Sequence, residues 1–208
     1  MGVTAREALT RLRDGNRRFV SDERRLDIRV TPTQREALAA GQQPFAIVLG
    51  CSDSRVPAEL VFDQGLGDLF VIRVAGNIVA PSQVGSVEFA ASRFGARLVV
   101  VLGHTQCGAV QAALEEAAMP APHSTNIKSI VDLIRPSIET VLAVAPPGDH
   151  SRVLDQAIRA NVRASADHLR HGSPMLEQLI QSNGLVVVGA EYSLETGEVD
   201  FFDGVPSV

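Results

Sequence analysis

FAIVLG, residues 45–50, is an unbroken apolar run entered through Pro44 and left through the polar stretch CSDSR, 51–55. Alternating polar and apolar residues mark a strand with one wet face, whereas a continuous run of this length marks a strand covered on both. LFVIRV (69–74), RLVVVLG (97–103) and LVVVGAEY (185–192) repeat the pattern. Helical patterns separate them: 82–95 with Ser82 as N-cap and Gly95 at its end, 107–119, 124–142, 151–170 and 174–182. A short helix over 33–40 ends at Gly41, and PAPH (120–123) reads as a loop. The turn SLETG leads into EVDFF (198–202), close enough to lay a fifth strand antiparallel beside the fourth. The expected fold is one α/β domain over 1–208. It has a four-stranded, mostly parallel sheet extended by an antiparallel edge strand, with helices on both faces. Residues 1–40 form an N-terminal helical arm. Within it Ala5, Ala8, Leu9, Leu12 and Phe19 make an apolar stripe behind Thr4 as N-cap.

Composition narrows the function. The 208 residues are 45% hydrophobic and 21% charged, as suits one globular domain. A net charge of −5 argues against nucleic acid and against acidic membrane surfaces as partners. No apolar run approaches the about 20 residues needed to span a bilayer. The charged N-terminal stretch lacks the apolar core of a signal peptide, so a cytoplasmic protein is expected. In that compartment the two cysteines, Cys51 and Cys107, suit metal binding or catalysis better than a disulfide.

Two of the strands end in chemically unusual loops. The first runs into Cys51 and the third into Gly103-His104-Thr105-Gln106-Cys107. Ligand sites of open parallel sheets form where the loops at the carboxyl ends of strands diverge. If these two strands are neighbours, Cys51, His104 and Cys107 converge there. Two thiolates and an imidazole are a zinc donor set with a fourth position left for water or a carboxylate. The alternative is two buried cysteines and a hydrogen-bonded core histidine. Asp53 and Arg55 alternate along the segment after Cys51 and so share a face. Arg55 would hold Asp53 ionised and accepting, either beside a bound water or as an ordinary surface ion pair.

Several other patterns fail. Cys51 to Arg55 is too short for a cysteine-phosphatase cradle. Phe70 stands where a G-x-G-x-x-G fingerprint needs glycine, and Ala109 and Val110 replace the Lys and Ser/Thr of a Walker loop. His123, His150, His168 and His171 read as solvated.

CSDSR followed by GHTQCGAV, with FDQGLGDLFVIRVAGN (62–77), GSVEFA (85–90) and VVVGAEYSLETGEV (186–199), resembles the bacterial β-class carbonic anhydrases over nearly the whole chain. The resemblance implies one Zn²⁺ per subunit on Cys51, His104 and Cys107. It makes Asp53 and Arg55 the catalytic dyad, with Asp53 the fourth zinc ligand in a closed state. The reaction implied is reversible hydration of CO₂ to bicarbonate and a proton, by attack of zinc-bound hydroxide oriented by the dyad. A homodimer, or a tetramer built from it, is also implied. In it the arm crosses to the neighbouring subunit and gives the stripe of residues 4–20 its partner. Val56, Phe70, Gly108 and side chains of the partner subunit are expected to line the CO₂ pocket, with Gln64 donating to substrate. Some relatives carry a regulatory bicarbonate site of Trp, Arg and Tyr. Arg73 and Tyr192 match two of these, but Val48 replaces the Trp, so no such site is expected. Rival readings are a CS₂ or COS hydrolase on the same ligands, a non-catalytic zinc protein with Asp53 closing the site, and a thiol redox protein.

Overall fold

The computed structural model describes residues 2–23, 31–119, 124–144 and 149–206. In chain order the elements are α1 (Ala5–Val20), α2 (Pro32–Ala39), β1 (Ala46–Gly50), α3 (Ala58–Val61), β2 (Leu69–Arg73), a single 3₁₀ turn (Ala75–Asn77), α4 (Pro81–Arg93) and β3 (Leu98–His104). They continue with α5 (Gly108–Ala118), α6 (Thr125–Leu142), α7 (His150–His171), α8 (Pro174–Asn183), β4 (Val186–Tyr192) and β5 (Val199–Asp203). The sheet order is β2-β1-β3-β4-β5. The first four strands are parallel and β5 is antiparallel to β4, as the apolar runs and the short SLETG turn require. Among the described residues no helix is long and apolar enough to cross a membrane. His123 and the PAPH loop lie outside the described residues.

Alternation along the strands divides the core. Ala46 and Val48 of β1, Val100 and Leu102 of β3 and Val188 of β4 face α1 and α3. Ile47, Leu49, Val99, Val101 and Val187 face α4, α7 and α8. A third cluster caps the carboxyl end of the sheet, where Val110 of α5, Ile134 and Ile138 of α6 and Ile158 of α7 pack around Cys51 and Cys107. The parallel register places Gly50 beside both Arg73 and Leu102. Cys51 therefore leaves the sheet one step before His104 does.

The structure corrects the sequence reading in three places. The apolar stripe of α1 is covered by its own chain: Ala8 and Leu12 are fully buried and Leu9 nearly so. Burying Leu9 and Leu12 stabilises the docked helix by about 1.5–3 kcal/mol each. Asn16 locks it further, donating Nδ2 to Val61 O (3.1 Å) and Gly197 O (2.8 Å) and accepting from Val199 N (2.9 Å). Next, α4 begins at Pro81 with Ala80 as N-cap rather than Ser82. Proline fits the first helical position because its missing N–H would have had no intrahelical acceptor there. Last, α3 was not expected, since four residues are too few to show a helical period.

A close approach at Gly15 sets how α1 sits. A Cβ there would lie 1.8 Å from Phe62 O, which is backbone and cannot swing away. Gly15→Ala should therefore lower stability by roughly 2–3 kcal/mol. A urea unfolding midpoint lower than that of the native protein is the expected measurement.

Candidate metal centre

Cys51 is the first residue past β1, and its position is fixed through the backbone. Arg73, at the end of the neighbouring β2, donates Nε to Cys51 O (3.0 Å) and Nη2 to Asp53 O (2.6 Å). Val74 N reaches Gly50 O at 3.1 Å. The loop is thus held as a rigid crossing of the sheet end, with the Cys51 side chain turned into the third cluster and 5% exposed.

His104 ends β3 and is wholly buried. Its Nδ1 lies 2.9 Å from Thr105 O, a carbonyl that can only accept, so the proton sits on Nδ1 and Nε2 is left with its lone pair. That buried Nε2 has no hydrogen-bond partner. A left-handed residue, Gln106 (φ 56°), turns the chain so that Cys107 becomes the N-cap of α5. Sγ of Cys51 and Sγ of Cys107 are 4.0 Å apart. These two sulfurs and the imidazole nitrogen all lie within 4.8 Å of one another.

The electrostatics of the three groups are unfinished without a cation. Cys51 is brought down to about 4, chiefly by the hydrogen bond from the Cys107 thiol, against the cost of burial. Cys107 is pushed up, because it carries that bond and is itself buried beside the Cys51 charge. One proton is in effect shared between two sulfurs. Burial opposes a charge on His104, yet the Cys51 thiolate beside it raises its pKa above the ordinary value. A divalent, thiophilic ion removes this conflict: both sulfurs become anionic donors and the orphaned Nε2 gains its partner. The donor set of two thiolates and one imidazole fits zinc.

Asp53 stands beside this cluster, Oδ2 lying 3.9 Å from His104 Nε2. Arg55 grips it as a fork, Nε to Oδ1 at 2.9 Å and Nη2 to Oδ2 at 2.7 Å, and Arg55 N adds a third bond at 2.9 Å. That fork, with the bond from Arg55 N, holds the Asp53 carboxyl well below the usual carboxylate range against the cost of burial. Asp53 is therefore an acceptor only.

The remaining expected site residues divide. Gly108 opens α5 next to Cys107 and is exposed, and a Cβ there would meet nothing within 4 Å. Val56 is buried against the α1 side of the core. Phe70 does not reach the cluster; it packs with Phe89 and Phe94 (centroids 6.3 and 6.0 Å) on the α4 face. Gln64 is likewise engaged elsewhere in its chain, donating Nε2 to Phe62 O at 2.7 Å. Val48 is wholly buried in the core and Tyr192 packs on Phe19 at 6.4 Å. His150, His168 and His171 are exposed, as expected. Two contributors were missed. The loop clamp by Arg73 had a signal, a lone charge ending an apolar strand. The N–H of Gly76, 3.4 Å from Cys51 Sγ, had one in the Gly-Asn turn of RVAGN.

A family model described as carbonic anhydrase matches residues 46–199. The chain is 35% identical to carbonic anhydrase 2 of Mycobacterium tuberculosis, covering 95% of this chain and 92% of that protein. It is 38% identical to a carbonic anhydrase of Mycolicibacterium smegmatis over 91% and 89% of the two. Among solved structures, the β-carbonic anhydrase CafA of Aspergillus fumigatus superposes with a TM-score of 0.75 at 25% identity, covering 96% of this chain and 91% of that one. A tetrameric β-carbonic anhydrase of Sordaria macrospora superposes at 0.74 and 24% identity, over 86% and 89%, a likeness of fold.

The Arg55 fork makes a prediction about acid. Asp53 titrates lower in the folded protein than unfolded, so the pair's contribution is complete above the unfolded value of about 3.9 and fades as pH falls below it. Arg55→Ala should return Asp53 toward the ordinary carboxylate range, read by ¹³C NMR titration of the carboxyl carbon in metal-free protein. An Asp53 titration unchanged in Arg55→Ala would contradict the assigned cause.

Proposed function

The chain belongs to the β-class carbonic anhydrase family, and on that premise we propose that it interconverts CO₂ and bicarbonate at the Cys51–His104–Cys107 centre, with Asp53 and Arg55 as its catalytic dyad. The observation that supports this reading best is the juxtaposition of three buried donor atoms within 4.8 Å with a locked, ionised carboxylate at their edge. Zinc held by Cys51, His104 and Cys107 supplies the Lewis acidity that makes water nucleophilic near neutral pH, tempered here by two anionic sulfurs.

The protein's own residues do the rest. Asp53 accepts a hydrogen bond from the attacking water and so aims its lone pair at carbon. Arg55 keeps that carboxylate from turning and from taking the proton, because Asp53 is far too weak a base to store one at neutral pH. The proton of CO₂ + H₂O → HCO₃⁻ + H⁺ therefore leaves by another route. Arg73 fixes the backbone from which Asp53 projects, and Gly108 leaves room beside Cys107 for a linear triatomic substrate. Val56, Phe70, Gln64 and Gly108 stay the proposed lining of the CO₂ pocket, together with side chains of the partner subunit; within the chain Phe70 and Gln64 are half-buried. For Asp53 to become a zinc ligand in a closed state, the Arg55 fork must first break.

Both cysteines are free in the structure and belong to the cluster, which fits a reducing, cytoplasmic setting. CO₂ and bicarbonate are the small-molecule partners and a second copy of the chain the macromolecular one.

Stopped-flow CO₂ hydration on zinc-loaded protein at pH 7 and pH 8.5 tests the proposal. Turnover should be faster at the higher pH, since two thiolates leave zinc less acidic than a three-histidine site. Asp53→Ala should keep its zinc and lose about 100-fold or more in kcat. Full zinc loading with no CO₂ turnover at either pH would overturn the reading. Turnover of CS₂ would then favour a heterocumulene hydrolase, and failure to bind azide would favour a closed structural site.

A further inference from the structure

Two polar side chains interrupt the otherwise apolar inner stripe of α7. Asn161 and Ser165 are 2% and 6% exposed, among Ala157, Ile158, Val162, Ala166 and Leu169. They stand four residues apart on one helix face. Both are spent on the same two-residue turn: Asn161 Nδ2 donates to Gly76 O (2.7 Å) and Ser165 Oγ to Asn77 O (3.0 Å). That turn is left-handed at both positions, Gly76 at φ 70° and Asn77 at φ 43°. Glycine takes the left-handed region freely, whereas asparagine takes it at a cost that surrounding contacts must offset. A Cβ at Gly76 would lie 2.8 Å from Ile134 Cδ1, so the turn is also wedged against α6. The outcome is that Gly76 N–H is aimed at Cys51 Sγ, 3.4 Å away.

We propose that Asn161 and Ser165 are positioning residues for the metal centre, holding the Gly76–Asn77 turn so that its N–H hydrogen-bonds the Cys51 sulfur. The proposal rests on the reading of Cys51 as a metal ligand. An N–H on a thiolate draws electron density away from the metal and fixes where the sulfur points. In a site with two anionic sulfurs this offsets part of their donation and leaves the ion a stronger Lewis acid. The helix that covers one face of the sheet thereby reaches the reaction centre through a backbone amide, without touching it.

Cobalt(II) replacing zinc gives the test, because sulfur-to-cobalt charge-transfer absorption reports on each thiolate directly. Asn161→Ala should move that band to longer wavelength, as the sulfur loses its donor and becomes richer in electrons. Zinc affinity should fall about 10–100-fold, because the lost positioning of the sulfur outweighs its gain in electron density. Ser165→Ala, which releases the Asn77 carbonyl, one residue further from the Gly76 N–H, should shift the band the same way by less. It carries the test alone if Asn161→Ala does not fold. A merely structural role would lower the melting temperature and leave the band of the cobalt-loaded protein where it was. An unmoved band in the folded variants overturns the proposal while the metal site stands. Native protein that takes up no cobalt overturns the metal site and this proposal together.

Discussion

The parallel register of β1 between β2 and β3 decides what meets at the carboxyl end of the sheet. Gly50 lies beside Leu102 on one side and Arg73 on the other. From that single alignment, Cys51 emerges within reach of the His104–Cys107 turn, and Arg73 emerges within reach of the Cys51 and Asp53 carbonyls. A slip of one residue would turn every side chain of β1 to the wrong face. The register is protected by its own burial, since Ile47, Val48 and Leu49 are fully enclosed between the two helical layers.

On this frame the charges form an ordered set of dependencies. Two buried sulfurs and a buried imidazole nitrogen share too few protons and too little solvent to be content alone. A thiophilic cation would remove that conflict, as two thiolates and an imidazole fit zinc. Asp53 is kept apart from that set by Arg55, whose fork satisfies the carboxylate and keeps it ionised. Backbone groups supply the fine adjustment. Thr105 O selects the tautomer of His104, Gly76 N–H meets Cys51 Sγ, and Arg73 keeps the intervening loop in place. Thr105 O and Gly76 N–H are backbone atoms that any residue carries, so their roles are fainter in the sequence than that of the Arg73 guanidinium.

Much of this was legible before the structure. Strands buried on both faces betray themselves as unbroken apolar runs, and β1, β2, β3 and β4 were read in place. The metal cluster was legible because Cys51 and the H-x-x-C pair sit at two strand ends, where such sheets gather ligands. Asp53 and Arg55 pair as their alternate spacing suggested. What the sequence left open shares a physical cause: a local pattern tells that a group must be satisfied but not by what. The stripe of α1 demanded burial, and its own sheet provided it. Ser82 and Pro81 both signal a helix start, and the residue with no N–H to waste took the first position. Phe70 and Gln64 lie near the motif in sequence, yet strand direction carries Phe70 to the α4 face and a backbone carbonyl holds Gln64.

The most direct test of the account is X-ray absorption at the zinc edge of the loaded native protein, with metal content measured on the same sample. One zinc per chain is expected, with two sulfurs at about 2.3 Å and lighter donors at about 2.0–2.1 Å. A shell with no sulfur, or with more than two, would contradict the claim that Cys51, His104 and Cys107 form one metal centre.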